Sequence, residues 1–462
     1  MIWLLLTISL PFIGASLLYF LPKNRRNLFS LLISFLTFFF SKATLLLVLK
    51  QKSLYFKIFN NSLVSISFLA DGLSSFMATI SCAVSFLIMI YSLDYMKEYQ
   101  EKDKFYFWSL IFVGSMMGLV FSTNLVLFYC FWELTAVCSW RLICFYRKDI
   151  DTKSANRAFL TTFFGASFLL AALVLIDLNF GTLELTELKS KNLPNFIAFL
   201  ILLSILAKSA QLPFSSWLPD AGVAPTPVTA LLHAAVLVKI GIFAFMRFFN
   251  TIFIVTDYFL NVTLFLSIIT IIVASSSALQ ETNLKRILAY STIAQLGYIL
   301  FILTFRDNFA LKIALLYILA HSLAKAGLFL CAGAVEHKTH TKELDNLGGL
   351  IKNLPITAIS FLICAFSIIG LPPLLGFWPK LFLVFFSASK GKILATSLAI
   401  TGALFTLLYL LRLFFKVFLG KPKYEFVEDQ KFIKYTNFAF AFLSFFYGFS
   451  FIFWFKFLDK LL

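Results

Sequence analysis

The sequence predicts an all-α polytopic membrane protein of about fourteen transmembrane helices, built around two inverted five-helix repeats. Three observations predict it. Hydrophobic residues fill 60% of the 462 positions, the mean hydropathy is +0.91 and charged residues make up only 13%, whereas a soluble domain carries about 25% charge. Apolar runs of about 20 residues, the length that crosses a bilayer core, recur along the whole chain. Two of these runs are interrupted by Pro and Gly at mid-span, and the two lie five spans apart.

In chain order, the first two spans fall near 2–21 and 27–49, on either side of the basic turn Lys23, Arg25, Arg26. No small-residue cleavage site follows the first, so it reads as a span rather than a signal peptide. The third falls near 73–96 after Asp71-Gly72, and the charged loop Lys97–Lys104 leads to the fourth near 106–121. Only Ser122-Thr123-Asn124 separates it from the fifth, near 125–146, so these two must pack antiparallel. A charged loop over 147–157 precedes the sixth span, near 158–177, and a polar loop over 179–195 follows it. The seventh, near 196–221, is broken, and the eighth falls near 226–249. Spans nine to eleven fall near 255–279, 287–305 and 309–335, before a polar connection over 336–353. The twelfth, near 355–387, is broken; the last two fall near 391–416 and 435–457.

This count divides the chain into an N-terminal group of three spans (1–105), a first repeat (106–250), a second repeat (251–418) and a final span (419–462). Loops after odd-numbered spans hold roughly twice the Lys and Arg of the others, which places them in the cytoplasm and both termini outside. The net charge of +17 is scattered through these short loops, which fits membrane orientation and not a nucleic-acid partner. The six cysteines (82, 130, 138, 144, 331, 364) form no Cys-x-x-Cys or Cys/His cluster. No metal, cofactor or disulfide framework is therefore expected in this chain.

The seventh and eighth spans organise the rest. Lys208 lies inside an apolar run, and Pro213, Pro219, Pro225 and Pro227 follow it. Proline lacks the N–H and clashes with the preceding turn, so this cannot be one helix. Irregular backbone inside a bilayer is tolerated where it is enclosed by protein or lines a wet cavity, and an ionisable residue beside it reads as part of an ion path. The twelfth span repeats the pattern, with Pro372, Pro373 and then Lys380. Paired interruptions in corresponding positions point to inverted repeats around a transport route.

Glu133 sits in the apolar segment FYCFWELTAVCSW, where a carboxylate needs a partner. An ion pair with Lys208 is the reading adopted. Arg141 is a poor partner, because eight residues along a helix put it about 12 Å away. Lysine suits proton carriage, since burial can bring its proton affinity into a useful range, whereas Arg stays charged. Lys208, Lys239, Lys325 and Lys380 all fall within spans. His321 and Lys325, four apart, share a helix face. His233 and Lys239, six apart, are expected to face different directions. Asp71, Asp94, Lys42 and Lys312 lie near span ends and are expected to reach the interface. Asp220 is read as a cap of the break, and His337 and His340 as solvated loop residues. No nucleophile–base arrangement or nucleotide fingerprint appears, so no catalytic residue is assigned, and the driving force must come from an ion gradient or from partners.

Several stretches resemble the antiporter-like membrane subunits of respiratory complex I, of Mrp cation/proton antiporters and of energy-converting hydrogenases. They are LADGLS (69–74), FWELTAVCSW (131–140), KSAQLPFSSWLPDAGVAPTPVTALLHAAVLVKIG (208–241), NLKRILAYSTIAQLGYI (283–299), HSLAKAGLFLCAGAV (321–335) and GLPPLLGFWPK (370–380). The resemblance implies a proton-entry gate of Glu133 and Lys208, linkers His233 and Lys239, axis residues His321 and Lys325, and a terminal lysine, Lys380. Lys239 makes the eighth span more like the Mrp and hydrogenase-type members. Arg141 stands where the family pattern suggests an apolar residue. No long C-terminal amphipathic helix is expected after the fourteenth span.

The function expected from all this is a proton-translocating subunit of an NADH:quinone oxidoreductase-like or hydrogenase-like complex in the inner (cytoplasmic) membrane. Its expected partners are other membrane-arm subunits and a hydrophilic redox module that carries iron–sulfur clusters with flavin or nickel-iron. The alternatives are an Mrp-type Na+/H+ antiporter subunit, with sodium as a second ion, and a membrane subunit that anchors a partner for inorganic carbon uptake.

Overall fold

A backbone in hydrocarbon must satisfy its own N–H and C=O groups, and this chain does so almost wholly with helices. The computed structural model describes residues 2–60 and 65–462. Helices α1 (Ile2–Leu18), α2 (Arg26–Gln51), α3 (Gly72–Tyr95), α4 (Lys102–Phe121), α5 (Leu125–Ile143) and α6 (Asp149–Phe180) provide the first six crossings. The seventh is α7 (Asn195–Lys208) followed by the short α8 (Trp217–Asp220). The eighth, Thr226–Ile252, combines α9 (Thr226–Ala230), a π-helical turn at Leu231–Ala235, α10 (Leu237–Phe245) and a second π-helical stretch at Met246–Ile252. Then come α11 (Asp257–Gln280), α12 (Leu284–Leu303) and α13 (Asn308–Thr339). Helices α14 (Pro355–Ile369) and α15 (Phe377–Ser389) form the broken twelfth span, before α16 (Ile393–Phe418) and α17 (Lys431–Phe449).

The two segments at the centre are Thr226–Ile252 and Asn308–Thr339, whose apolar windows are wholly buried. By contrast α2, α6 and α16 leave more than half of theirs exposed, as an outer ring facing acyl chains should. The two central segments are also the ones that carry His233, Lys239, His321 and Lys325. Polar side chains are thus placed where other protein, not lipid, surrounds them.

One local device occurs twice. Asn124 caps α5 through its Oδ1, which accepts from Val126 and Leu127 N–H, and its Nδ2 donates to Glu184 at 3.0 Å. Asn283 caps α12 in the same way, accepting from Lys285 and Arg286 N–H and donating to Glu343 at 2.9 Å. Both Asn/Glu pairs also form isolated backbone bridges. These are the fifth and tenth spans, the offset expected between the repeats.

The structure differs from the sequence reading at several places. Two antiparallel strands, β1 (Leu54–Asn60) and β2 (Ser65–Ala70), precede α3; their short alternating pattern is overshadowed by the long apolar runs around them. Residues 149–157 form the first turns of α6 and not a loop; their charged side chains lower the local hydropathy, so the apolar pattern marks only the later part of the helix. Similarly, α13 runs on to Thr339, so Glu336 and His337 are helical, with His340 the left-handed cap at φ 56°. His337 lies against the Tyr95 ring, with centroids 5.3 Å apart. The fourteenth span does not continue to 457. It bends by 79° after Phe449, and α18 (Phe451–Leu461) turns along the protein. Lys456, Asp459 and Lys460 recur at i, i+3 and i+4 in α18, one polar stripe that suits an interfacial helix. Asp459 pairs with Lys312, which is therefore tied to protein rather than free at the interface.

Candidate functional site

Helix α7 ends at Lys208 because Pro213 cannot continue it, and the carbonyls freed by the break find nearby donors. Trp217 Nε1 donates to Ala207 O at 3.1 Å, and Gln211 N donates to Leu206 O at 2.8 Å. The Lys208 ammonium is buried, donates to Trp132 O of α5 at 2.9 Å and lies 5.2 Å from the centre of the Trp132 ring. Glu133 does not make the ion pair expected with it: its carboxylate lies beyond ion-pair reach, and Oε1 is buried without a protein hydrogen-bond partner. The reason is helical geometry. Glu133 points about 100° round α5 from Trp132, on the half-exposed stripe that also holds Cys130 and Arg141. Arg141 is not its partner either, since the guanidinium stacks over Trp108 and Trp140 at 5.5 and 5.3 Å.

The second break mirrors the first in one respect, that a lysine is answered by backbone carbonyls, here those at the negative end of a half-helix. Lys380, in the first turn of α15, turns back to the last carbonyls of α14, donating to Ile368 O at 2.6 Å and Ile369 O at 3.1 Å. Its ammonium stands 5.3 Å from the centre of the Tyr298 ring. Gly370 adopts φ 92° to end α14, a conformation that favours glycine.

Between the breaks lie the central segments. Lys239 donates to Ser322 Oγ of α13, and Lys325 donates to Leu288 O of α12 at 3.2 Å. His233, inside the π-helical turn, packs on Phe329 with ring centroids 4.4 Å apart. Contrary to the expected divergence, His233 and Lys239 therefore both meet α13. The wider π turn between them changes the angle that α-helical geometry would give. They remain two sites, because Ser322 and Phe329 are two helical turns, about 10 Å, apart. His233 and His321 are fully buried, and neither has a protein partner on either ring nitrogen.

Sequence reasoning missed two further groups. Buried amides and phenols connect the breaks: Gln211 Nε2 donates to Ile293 O at 3.2 Å, and Tyr317 OH donates to Gln295 Oε1 at 2.8 Å. Tyr317 stacks on Tyr298, which faces Lys380. Gln211 Oε1 and Gln295 Nε2 are buried without partners. Amides in the apolar runs KSAQLP and STIAQLGY were the available signal. The second group is an ion pair. Lys285 is buried at the start of α12 and meets Glu336 at 2.6 Å while donating to Ala224 O at 3.0 Å. Glu336 also takes Lys342 at 3.1 Å and Thr226 Oγ1 at 3.2 Å. Both charges fall at span boundaries in the sequence, where they pass for loop residues.

Two residues expected at the interface or in a capping role hold elements together instead. Asp71 caps α3 through Ser74 N–H at 2.9 Å and takes Arg247 in a two-pronged pair at 2.6 and 2.9 Å. Asp220 joins α6 and α12 by pairing with Arg157 and, at 2.7 Å, with Arg286. Among the described residues no group of three or more His, Cys, Asp or Glu is placed to hold a metal ion.

The chain that carries this geometry resembles known proteins. It matches the family described as NADH:quinone oxidoreductase/Mrp antiporter, TM, over residues 122–406. It also matches the family described as NADH-Ubiquinone oxidoreductase (complex I), chain 5 N-terminus, over 56–106. It is 33% identical over 445 residues to NADH-quinone oxidoreductase subunit L of Buchnera aphidicola, covering 91% of this chain and 71% of that one. It is 37% identical over 368 residues to Na(+)/H(+) antiporter subunit A1 of Staphylococcus saprophyticus, covering 73% of this chain but only 46% of that longer protein. A chain of the Mrp complex from Dietzia sp. superposes with a TM-score of 0.90 at 21% identity, covering 100% of this chain and 97% of that one. A chain of an archaeal membrane-bound sulfane sulfur reductase gives 0.90 at 22%, covering 99% and 96%. These last two establish likeness of fold.

Proposed function

The chain belongs to the NADH:quinone oxidoreductase/Mrp antiporter membrane-subunit family, and from that premise we propose that it moves protons along a route through the membrane middle. One observation carries the reading. A row of enclosed cations, imidazoles and amides runs from Lys208 at the first break through Lys239, His321 and Lys325 toward Lys380, half-buried at the second break. Enclosed cations of this kind carry an insertion cost that structure alone seldom justifies. The unpartnered His233 and His321 nitrogens suit exchange of protons with a chain of water. Glu133, on the outer stripe of α5, acts at the lateral entrance, coupled to Lys208 through space rather than by contact.

The repeated Asn/Glu caps support the division into inverted repeats over 106–250 and 251–418. Other membrane-arm subunits are the proposed partners, with a hydrophilic redox module carrying iron–sulfur clusters and flavin or nickel-iron, in an inner (cytoplasmic) membrane with both termini outside. A second reading, a subunit of an Mrp-type Na+/H+ antiporter, is favoured by Lys239 and by the likeness to antiporter subunit A1. Inside-out vesicles test both. Proton uptake driven by an added reductant supports the redox-driven pump, and collapse of a preset pH gradient by added sodium supports the antiporter. In either case Lys208→Ala is expected to lower proton movement at least ten-fold while the complex still assembles; full activity in that variant sinks the proposed route.

A further inference from the structure

A cleft of about 440 Å3 lies between α1, α4, α5 and α6, where the helix ends meet. Arg141 lies in it, exposed, two residues before the end of α5, hence about 3 Å inside the helix terminus. Its guanidinium is held over Trp108 and Trp140, and Trp140 is itself fixed by donating Nε1–H to Asn156 Oδ1 at 2.9 Å. Lys104 and Arg147 stand at the rim. The one carboxylate lining the cleft, Glu101, is engaged by Lys104 and by Arg147 at 3.8 Å. Asp103 is taken by Arg26 at 2.7 Å. Among the described residues Arg141 has no acidic partner. The cleft therefore offers three cations against one carboxylate, on the face that carries the basic loops.

An arginine braced by two indoles at the end of a span is built to meet something both anionic and amphipathic. Trp and Arg belong at the boundary between acyl chains and headgroups, and basic pockets between spans on the cytoplasmic side suit anionic headgroups. Leu17 and Phe20, which flank the cleft-lining Tyr19 in sequence, and Leu160 and Phe163, about two to three turns along α6 from the cleft-lining Thr152, are exposed, so the flanking elements offer an apolar wall. Free phosphate would use the cations but not that wall. We propose that this cleft holds the phosphodiester headgroup of an anionic glycerophospholipid, with Arg141 as its principal contact, Lys104 and Arg147 as outer contacts, and the acyl chains against α1 and α6.

The test is native mass spectrometry of the complex, purified in mild detergent, delipidated and then supplied with dioleoyl phosphatidylglycerol, dioleoyl phosphatidylcholine or inorganic phosphate. The parent is expected to retain phosphatidylglycerol over phosphatidylcholine, Arg141→Gln to lower that retention at least five-fold, and Arg25→Gln, a basic residue outside the cleft, to leave it unchanged. Equal retention by Arg141→Gln and the parent overturns the proposal, as does displacement of the lipid by millimolar phosphate. Loss of a co-purifying subunit from Arg141→Gln with lipid retention intact assigns the cleft to a protein interface and also overturns it. Should Arg141→Gln not assemble, the parent decides alone: no preference for phosphatidylglycerol over phosphatidylcholine rejects the site.

Discussion

A single charge enclosed among helices is costly, and each enclosed lysine here is answered by a specific neighbour. Lys208 and Lys380 are answered by backbone carbonyls, Lys239 by a hydroxyl, and Lys285 by Glu336. The distinction has consequences for mutation. A lysine held by neutral carbonyls can lose its proton without stranding an opposite charge, which suits a carrier. Lys285 and Glu336 are bound to each other, and removing one strands the other. Glu336→Gln is therefore expected to destabilise the protein by about 3 kcal/mol or more. Lys285→Met with Glu336→Gln together should recover part of that loss, since both partners of the pair are then neutral. Thermal unfolding in detergent should rank the parent highest, the double variant next and Glu336→Gln lowest. A double variant no more stable than Glu336→Gln would show that the pair contributes nothing beyond its separate carbonyl and hydroxyl contacts.

At the scale of elements, the two broken spans do what an unbroken helix cannot: they bring a half-helix end to mid-membrane. The twelfth span shows how tightly this is built. An added Cβ at Gly376 would fall 1.9 Å from Ser367 O, so the end of α14 and the start of α15 approach backbone to backbone. Helix propensity alone would make Gly→Ala favourable by roughly 0.5–1 kcal/mol, but the contact reverses the sign. Gly376→Ala should push α15 away from α14 and carry Lys380 off the Ile368 and Ile369 carbonyls. The expected result is a loss of proton movement comparable to that of Lys380→Ala, with the complex still assembled; full activity would mean that Lys380 does not need those carbonyls. The π-helical turn at Leu231–Ala235 is the other special element. Its breadth is what directs both His233 and Lys239 at α13.

At the scale of the molecule, a few ion pairs join parts distant in sequence. Asp220 links α6 to α12, and Asp71 links the start of α3 to Arg247 near the end of the eighth span. Burial pushes the Asp71 carboxyl up, but the Arg247 charge and hydrogen bonds, with Ser74, overcome this and hold it down at about 2, from an ordinary 3.8. A carboxyl with a depressed value stabilises the fold above its unfolded value and loses that contribution as the pH falls through the folded one. The stability gap between the parent and Asp71→Asn should thus be constant from pH 7 to about pH 5 and narrow below about pH 4. A gap that instead grows on acidification would contradict the ionised pair. The variant leaves a mostly buried Arg247 without its carboxylate, so lower stability is expected at neutral pH.

Hydropathy, proline placement and enclosed charge marked the long apolar helices, the two breaks and the seven ionisable residues of the proposed route, because crossing a bilayer imposes length and cost rules that act on sequence directly. Only the tertiary structure decided which groups those residues meet. Glu133 follows Trp132 in the chain, yet helical rotation gives Lys208 the Trp132 carbonyl and sends Glu133 to the outer stripe of α5. Lys285 and Glu336 are fifty-one positions apart and each lies at the edge of an apolar run, so nothing local marks them as a pair. The bend before α18 and the π turn at His233 likewise depend on what packs against them. Local rules act on each residue's own solvent, whereas partners are chosen by packing among helices that the sequence order leaves far apart.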